Sequence, residues 1–147
     1  MKSLFITKIR YEKTMENGMN KKVTEPYIVD ALSFTEAEAR IIEEMKQYLS
    51  VPFTVSDIRR SNISELFPSP DENDDRWYKC RVMFITLDEK SGAEKKTSTY
   101  MYVQAATSDI AMTRLHECMK DTMADYVLSS VSETPIMDVF LYKGENA

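Results

Sequence analysis

Few residues in this chain could do chemistry. His116 and Cys118 form a His-x-Cys pair, a fragment of a metal-ligand pattern. A structural zinc needs four ligands. His116 is the only histidine, and the second cysteine, Cys80, lies far upstream. No metal site is expected there. Nor does any spacing bring a cysteine to the histidine as a nucleophile pair. Cys80 falls on the inward side of an alternating segment, where a free thiol behaves as a small apolar group. Asp71-Glu72-Asn73-Asp74-Asp75 offers carboxylates to a hard cation but lacks the glycine and terminal glutamate of a calcium loop. It reads as a solvated linker. Asp88 with Glu94-Lys95-Lys96 echoes the acid and Glu-x-Lys set of a metal-dependent nuclease. Those residues flank a hairpin turn at Ser91-Gly92, whereas metal-assisted cleavage needs carboxylates converging on rigid strands. With three glycines in all, no phosphate-cradling loop exists. The residues point to no catalytic set, no metal and no cofactor.

Binding chemistry is better represented. Lys8 and Arg10 share one face of an alternating segment, and Lys79, Arg81, Tyr100 and Tyr102 share the corresponding face of later ones. Rings among cations can stack single-stranded bases while the charges hold phosphates. The pairs Lys21-Lys22 and Lys95-Lys96, beside two turns, extend the same groove. The plainer reading packs Tyr100 and Tyr102 against protein and leaves the lysines to solvate an edge and guard against aggregation. The acidic total favours the plainer reading.

The elements that carry these residues occur twice. Displacing the chain by 73 or 74 residues sets Phe5–Tyr11 over Tyr78–Phe84, Gly18 over Gly92, and Lys21-Lys22 over Lys95-Lys96. Tyr27, Val29 and Ala31 fall on Met101, Val103 and Ala105; Ala37 falls on Ala111, and Met45 on Met119. Ile58, Ile63 and Phe67 match Val131, Ile136 and Phe140. Each copy opens with period-two alternation, the mark of a half-buried strand. Asn17-Gly18 and Ser91-Gly92 then supply turns. A return strand follows, from Lys21 to Ala31 and from Lys95 to Ala105. Ser33-Phe34-Thr35-Glu36 is a capping box, and Ala37, Ile41, Ile42, Met45 and Leu49 make the apolar stripe of a helix. Pro52 ends it, and Phe53 to Arg60 resumes an extended pattern. In the second copy a helix starts near Thr107 or Ser108, and Tyr126 to Thr134 forms the third strand.

The chain of 147 residues is 43% apolar and 29% charged, the balance of a soluble globular protein. Net charge is −5, and all of it lies beyond residue 67. A dominant grip on duplex DNA is therefore not expected. The apolar run within Met1–Lys8, interrupted by Lys8, is too short for a signal peptide, and no apolar segment is long enough to span a membrane. Two cysteines without a disulfide or metal spacing fit a cytoplasmic setting.

The stretches Lys8-Ile9-Arg10-Tyr11-Glu12-Lys13, Thr24-Glu25-Pro26-Tyr27, Asp30 to Ala39, Phe53 to Ile58, Asp75 to Cys80 and Thr122 to Val127 resemble a family. It is catalogued as domain of unknown function 4494, from gut Bacteroidetes and their phages. The resemblance spans nearly the whole chain. It implies a bacterial or phage origin, on mobile DNA in some cases, and transfers no activity to any residue.

Sequence alone thus predicts an α+β protein of two tandem β-β-α-β repeats, mostly antiparallel sheets each backed by one helix. The repeats span 1–67 and 76–147, with an acidic, proline-containing linker at 68–75; the two sheets either join edge to edge, the favoured arrangement, or bury part of their outer faces against each other. The functional expectation is a non-enzymatic interaction module that binds another protein or itself. The alternative is an accessory protein for single-stranded DNA or RNA.

Overall fold

A computed structural model describes residues 3–142; the outermost residues of the two repeats, 1–2 and 143–147, lie outside it. The first strands form a hairpin, β1 (Ser3–Thr14) and β2 (Asn20–Ala31), paired from Ser3↔Ala31 to Thr14↔Asn20. Gly18 turns the chain with φ +83°, a conformation a side chain would strain. The helix α1 (Phe34–Tyr48) follows, then β3 (Phe53–Arg60) and a short β4 (Ile63–Phe67). The second hairpin is β5 (Arg76–Leu87) and β6 (Glu94–Ala105), with Gly92 at φ +71°. It is followed by α2 (Ser108–Met119), β7 (Asp125–Glu133) and β8 (Asp138–Phe140). The fold is α+β, with the repeated hairpin, helix and third strand that the pattern predicts.

Both helix starts are capped by hydroxyls. Ser33 Oγ accepts the Glu36 N–H at 3.1 Å, and Thr107 Oγ1 accepts the Ile110 N–H at 3.3 Å. Glu36 returns the contact at 2.8 Å, but to the Leu32 N–H, one residue before the cap. Each helix lays three residues on its sheet: Ala37, Ile41 and Met45 in the first repeat, Ala111, Leu115 and Met119 in the second. They close over Phe5, Ile9, Tyr27, Val29 and Ala31 in one core, and Tyr78, Cys80, Val82, Met101, Val103 and Ala105 in the other. Each large aliphatic side chain buried this way contributes about 1.5–3 kcal/mol. Thr7 stands where the second repeat has Cys80, and both are fully buried. Thr7 satisfies its hydroxyl by donating to the Tyr27 carbonyl at 3.1 Å. Cys80 needs no partner, and burial pushes its thiol up to about 11.

Three features depart from the sequence expectation. First, the sheets do not join. The described residues form two four-stranded sheets, β3-β1-β2-β8 and β4-β6-β5-β7. Beside β2 and β6 each sheet is closed by a short parallel strand, and at its other edge it ends in β3 or β7 without pairing to the other sheet. Second, those short strands are exchanged. β4, the last strand of the first repeat, lies in the sheet of the second; β8, the last of the second, lies in the sheet of the first. The compact units are accordingly 1–61 with 136–147, and 62–135. Units and sequence repeats divide the chain differently.

Third, the acidic segment is not a solvated linker throughout. Residues 68–75 contain no helix or strand, yet they lie inside the second unit, and Asp74 is 5% exposed. Arg114, on α2, reaches that carboxylate at 2.9 Å, and Ser69 donates its hydroxyl to it. The acid looks solvated within its charged run, yet it is buried with both the arginine and the serine hydroxyl as partners.

Candidate interaction surface

Strand alternation places the face opposite each helix. In the first repeat it carries Lys8, facing Asp57 on β3, and Arg10, facing Thr54. Lys22 extends this face at the hairpin end across from Glu12, while Lys21 points to the other side. In the second repeat Lys79 lies across from Tyr102 and Arg81 across from Tyr100, with Lys96 further along; Lys95 again turns to the other side. The Lys79 ammonium sits 4.5 Å from the centre of the Tyr100 ring, a cation–π contact. Arg81 donates to Ser98 Oγ at 3.0 and 3.2 Å. The second set is therefore brought together on one face. Arg10 and the four hairpin lysines are exposed, whereas Lys8, Lys79, Arg81 and Tyr100 are half-buried. Tyr102 is 6% exposed, so a base could not stack on it as the chain stands. The first set belongs to the other compact unit.

Two arginines that sequence reasoning passed over hold the exchanged strands in the same way. Arg40, on α1, donates to the Asp30 carbonyl at 2.6 Å, and Arg114 donates to the Gln104 carbonyl at 2.6 Å. Asp30 Oδ1 accepts the N–H of Tyr142, two residues beyond β8, at 2.9 Å. Gln104 Oε1 accepts the N–H of Ser69, two residues beyond β4, also at 2.9 Å. The Arg40 guanidinium lies 4.5 Å over the Tyr142 ring, whose hydroxyl donates to Glu44 at 2.7 Å. The signal for this device was the matched spacing of Asp30 to Arg40 and Gln104 to Arg114 under the repeat shift.

The Asp74 carboxyl is held below the usual carboxylate range, first by the Ser69 hydroxyl and then by Arg114. A depressed folded value means stabilisation that is fully present above the unfolded value and lost as pH falls through the folded one. Asp74→Asn is therefore expected to lower the melting temperature at neutral pH, with the difference from wild type shrinking as pH falls below the ordinary aspartate value of about 4. A difference independent of pH would show that the carboxylate charge plays no part.

The edges of the sheets form a second surface. β3 and β7 end their sheets, eight and nine residues long, while the opposite edges are the short β8 and β4. Each long edge strand carries one extra residue against its neighbour, Ser56 and Ser129, where the register shifts. Between α1 and β3 runs an open groove of about 560 Å³, lined by Glu38, Ile42, Lys46, Val51, Phe53 and Val55 among others. A second hollow of about 360 Å³ meets it at Pro52, Phe53 and Thr54 and continues over Arg10, Glu12 and Lys22. In the second repeat the place of Ile42 and Phe53 is held by His116 and Tyr126. His116 Nδ1 lies 2.8 Å from the Tyr126 hydroxyl, and the rings stack at 5.8 Å.

Among the described residues, no three His, Cys, Asp or Glu side chains gather to hold a metal, and no helix is long and apolar enough to cross a membrane. Fold and surface thus define an α+β protein of two repeats with open sheet edges. Residues 3–142 match the family model described as Domain of unknown function (DUF4494), and the chain belongs to that family. The comparisons with curated proteins and with solved structures returned no match.

Proposed function

We propose that this chain is a small non-enzymatic interaction module of bacterial or phage origin, working in the cytoplasm. It binds another protein, or itself, through the outer edges of its sheets. The observation that carries this reading is the pair of long edge strands, β3 and β7, each leaving one row of backbone N–H and C=O groups without a neighbouring strand among the described residues. Such a row binds an extended segment by main-chain hydrogen bonds, while pockets beside it select side chains. The bulge residues Ser56 and Ser129 are exposed and interrupt each row at one point, leaving the stretches before and after them to pair.

The second reading, an accessory protein for single-stranded nucleic acid, draws on Lys79, Arg81, Tyr100 and the exposed hairpin lysines. One pair of measurements separates the two. The interaction reading expects peptides selected from a displayed random library to slow hydrogen exchange at β3 or β7 amides, with no retention of labelled oligonucleotides at low salt. Salt-sensitive oligonucleotide binding that is lost in Lys79→Ala, Arg81→Ala and Tyr100→Ala, with no edge-protecting peptide, would replace it by the second.

A further inference from the structure

The two edges are not equivalent, although the repeats that make them are. Beside β3 the helix presents Ile42, and the groove between them is lined by Phe53 and Val55 from the strand and Val51 from the turn before it. At the matching position of the second repeat, the His116–Tyr126 contact bridges helix and strand. The other face of the sheet differs too. Arg10 stands behind the edge of the first repeat, separated from it only by the small Thr54, its cross-strand neighbour. The matching residue of the second repeat is the uncharged Met83. Arg10 and Lys22 are exposed, and neither makes an ion pair among the described residues; the acid nearest in the hollow is Glu12.

A strand added to β3 would send alternate side chains to opposite faces of the sheet. Those turned toward α1 enter the apolar groove, whose about 560 Å³ lies within the range of formed ligand pockets. Its helix wall is charge-balanced, with Glu38 and Lys46 four residues before and after Ile42, so it favours uncharged apolar groups. Side chains turned the other way pass over Thr54 toward Arg10 and Lys22, where the excess charge is positive and carboxylates are favoured.

We infer that the α1–β3 groove is a docking site for an extended segment of another protein in which apolar and acidic side chains alternate. The second repeat, bridged by His116 and Tyr126, does not share this specificity. This rests on the interaction reading above and commits it to one edge and one chemistry.

The test uses the full chain and short random peptides displayed on phage. Peptides enriched by the wild-type protein alternate apolar and acidic residues, and as synthetic peptides they slow exchange of the Phe53–Val55 amides. Ile42→Lys weakens them by about tenfold or more. Arg10→Glu weakens them by about fivefold and removes the salt dependence of what remains. Ile42 is half-buried on the helix flank and Arg10 is exposed, so both variants keep the fold; unchanged circular dichroism and unchanged exchange at α2 verify this. Enriched peptides without acids, or binding unaffected by both variants, overturn the inference. Binders that protect β7 overturn it while leaving the interaction reading intact, and a library that yields no edge-protecting peptide removes both.

Discussion

A chain that ends at Pro135 is expected to lose the helix near its own beginning, while the repeat from which the residues were removed keeps its core. The last described segment, from Ile136 to Tyr142, belongs to the first unit. β8 pairs in parallel with β2 at Tyr27, Ile28 and Val29. Phe140 stacks on Tyr27, with ring centres 5.8 Å apart, and on Tyr48 of α1 at 6.1 Å. Tyr142 ties Asp30, Arg40 and Glu44 together. Removing an aromatic contact of this kind and several backbone hydrogen bonds costs about 3 kcal/mol or more. Small units hold only about 5–15 kcal/mol in total, so the loss is a large fraction. Amides of α1 should then exchange about a hundredfold faster, the equivalent of that energy. Amides of α2 should change little, and the Cys80 thiol, buried against Leu115 and Met119 in the other core, should stay unreactive toward a thiol reagent. Faster exchange in α2 with α1 unchanged would mean that β8 supports its own repeat and not the other.

The elements themselves were legible because each rests on local signals. Alternation marked the hairpins, glycine marked their turns, and a hydroxyl before an apolar stripe marked each helix. The residues matched across the repeat, Ala37 with Ala111 and Met45 with Met119, occupy the same core positions. The destination of the last strands was not legible. Ile63 and Phe67 match Ile136 and Phe140, which marks them as equivalent, but alternation over three to five residues does not say which sheet receives them. Parallel pairing between segments far apart in sequence leaves no local trace. The burial of Tyr102 and Asp74 was hidden for a related reason. A tyrosine among basic residues and an acid within an acidic run look exposed until the groups packed around them are known. Ile42 has the spacing of the helix stripe, yet it sits at the stripe's flank and lines the groove beside β3.

The exchange of strands also sets what a cut in the middle of the chain should do. Two repeats threaded like beads would separate once the connection between them is broken. Here a protease site inserted between Glu72 and Asn73, both exposed, would yield fragments that each contribute a strand to the other's sheet. The N-terminal piece would carry β4, paired with β6 from Tyr100 to Val103, and the C-terminal piece would carry β8, paired with β2. Ser69, on the first piece, would remain bonded to Gln104 and Asp74 on the second. Phe67 and Phe140 pack against the core of the unit they enter, so separation would expose apolar surface in both. Two pairings must be undone at once for the pieces to part, and each raises the effective concentration at which the other re-forms. The cleaved protein is therefore expected to elute from a sizing column at the position of the intact chain and to come apart only in denaturant. On dilution from denaturant, both fragments together should recover the slow exchange of α1 and α2 amides, and neither fragment alone should do so. Fragments that part in native buffer, each keeping its helix protected, would show that the exchanged strands contribute too little to hold the two fragments together.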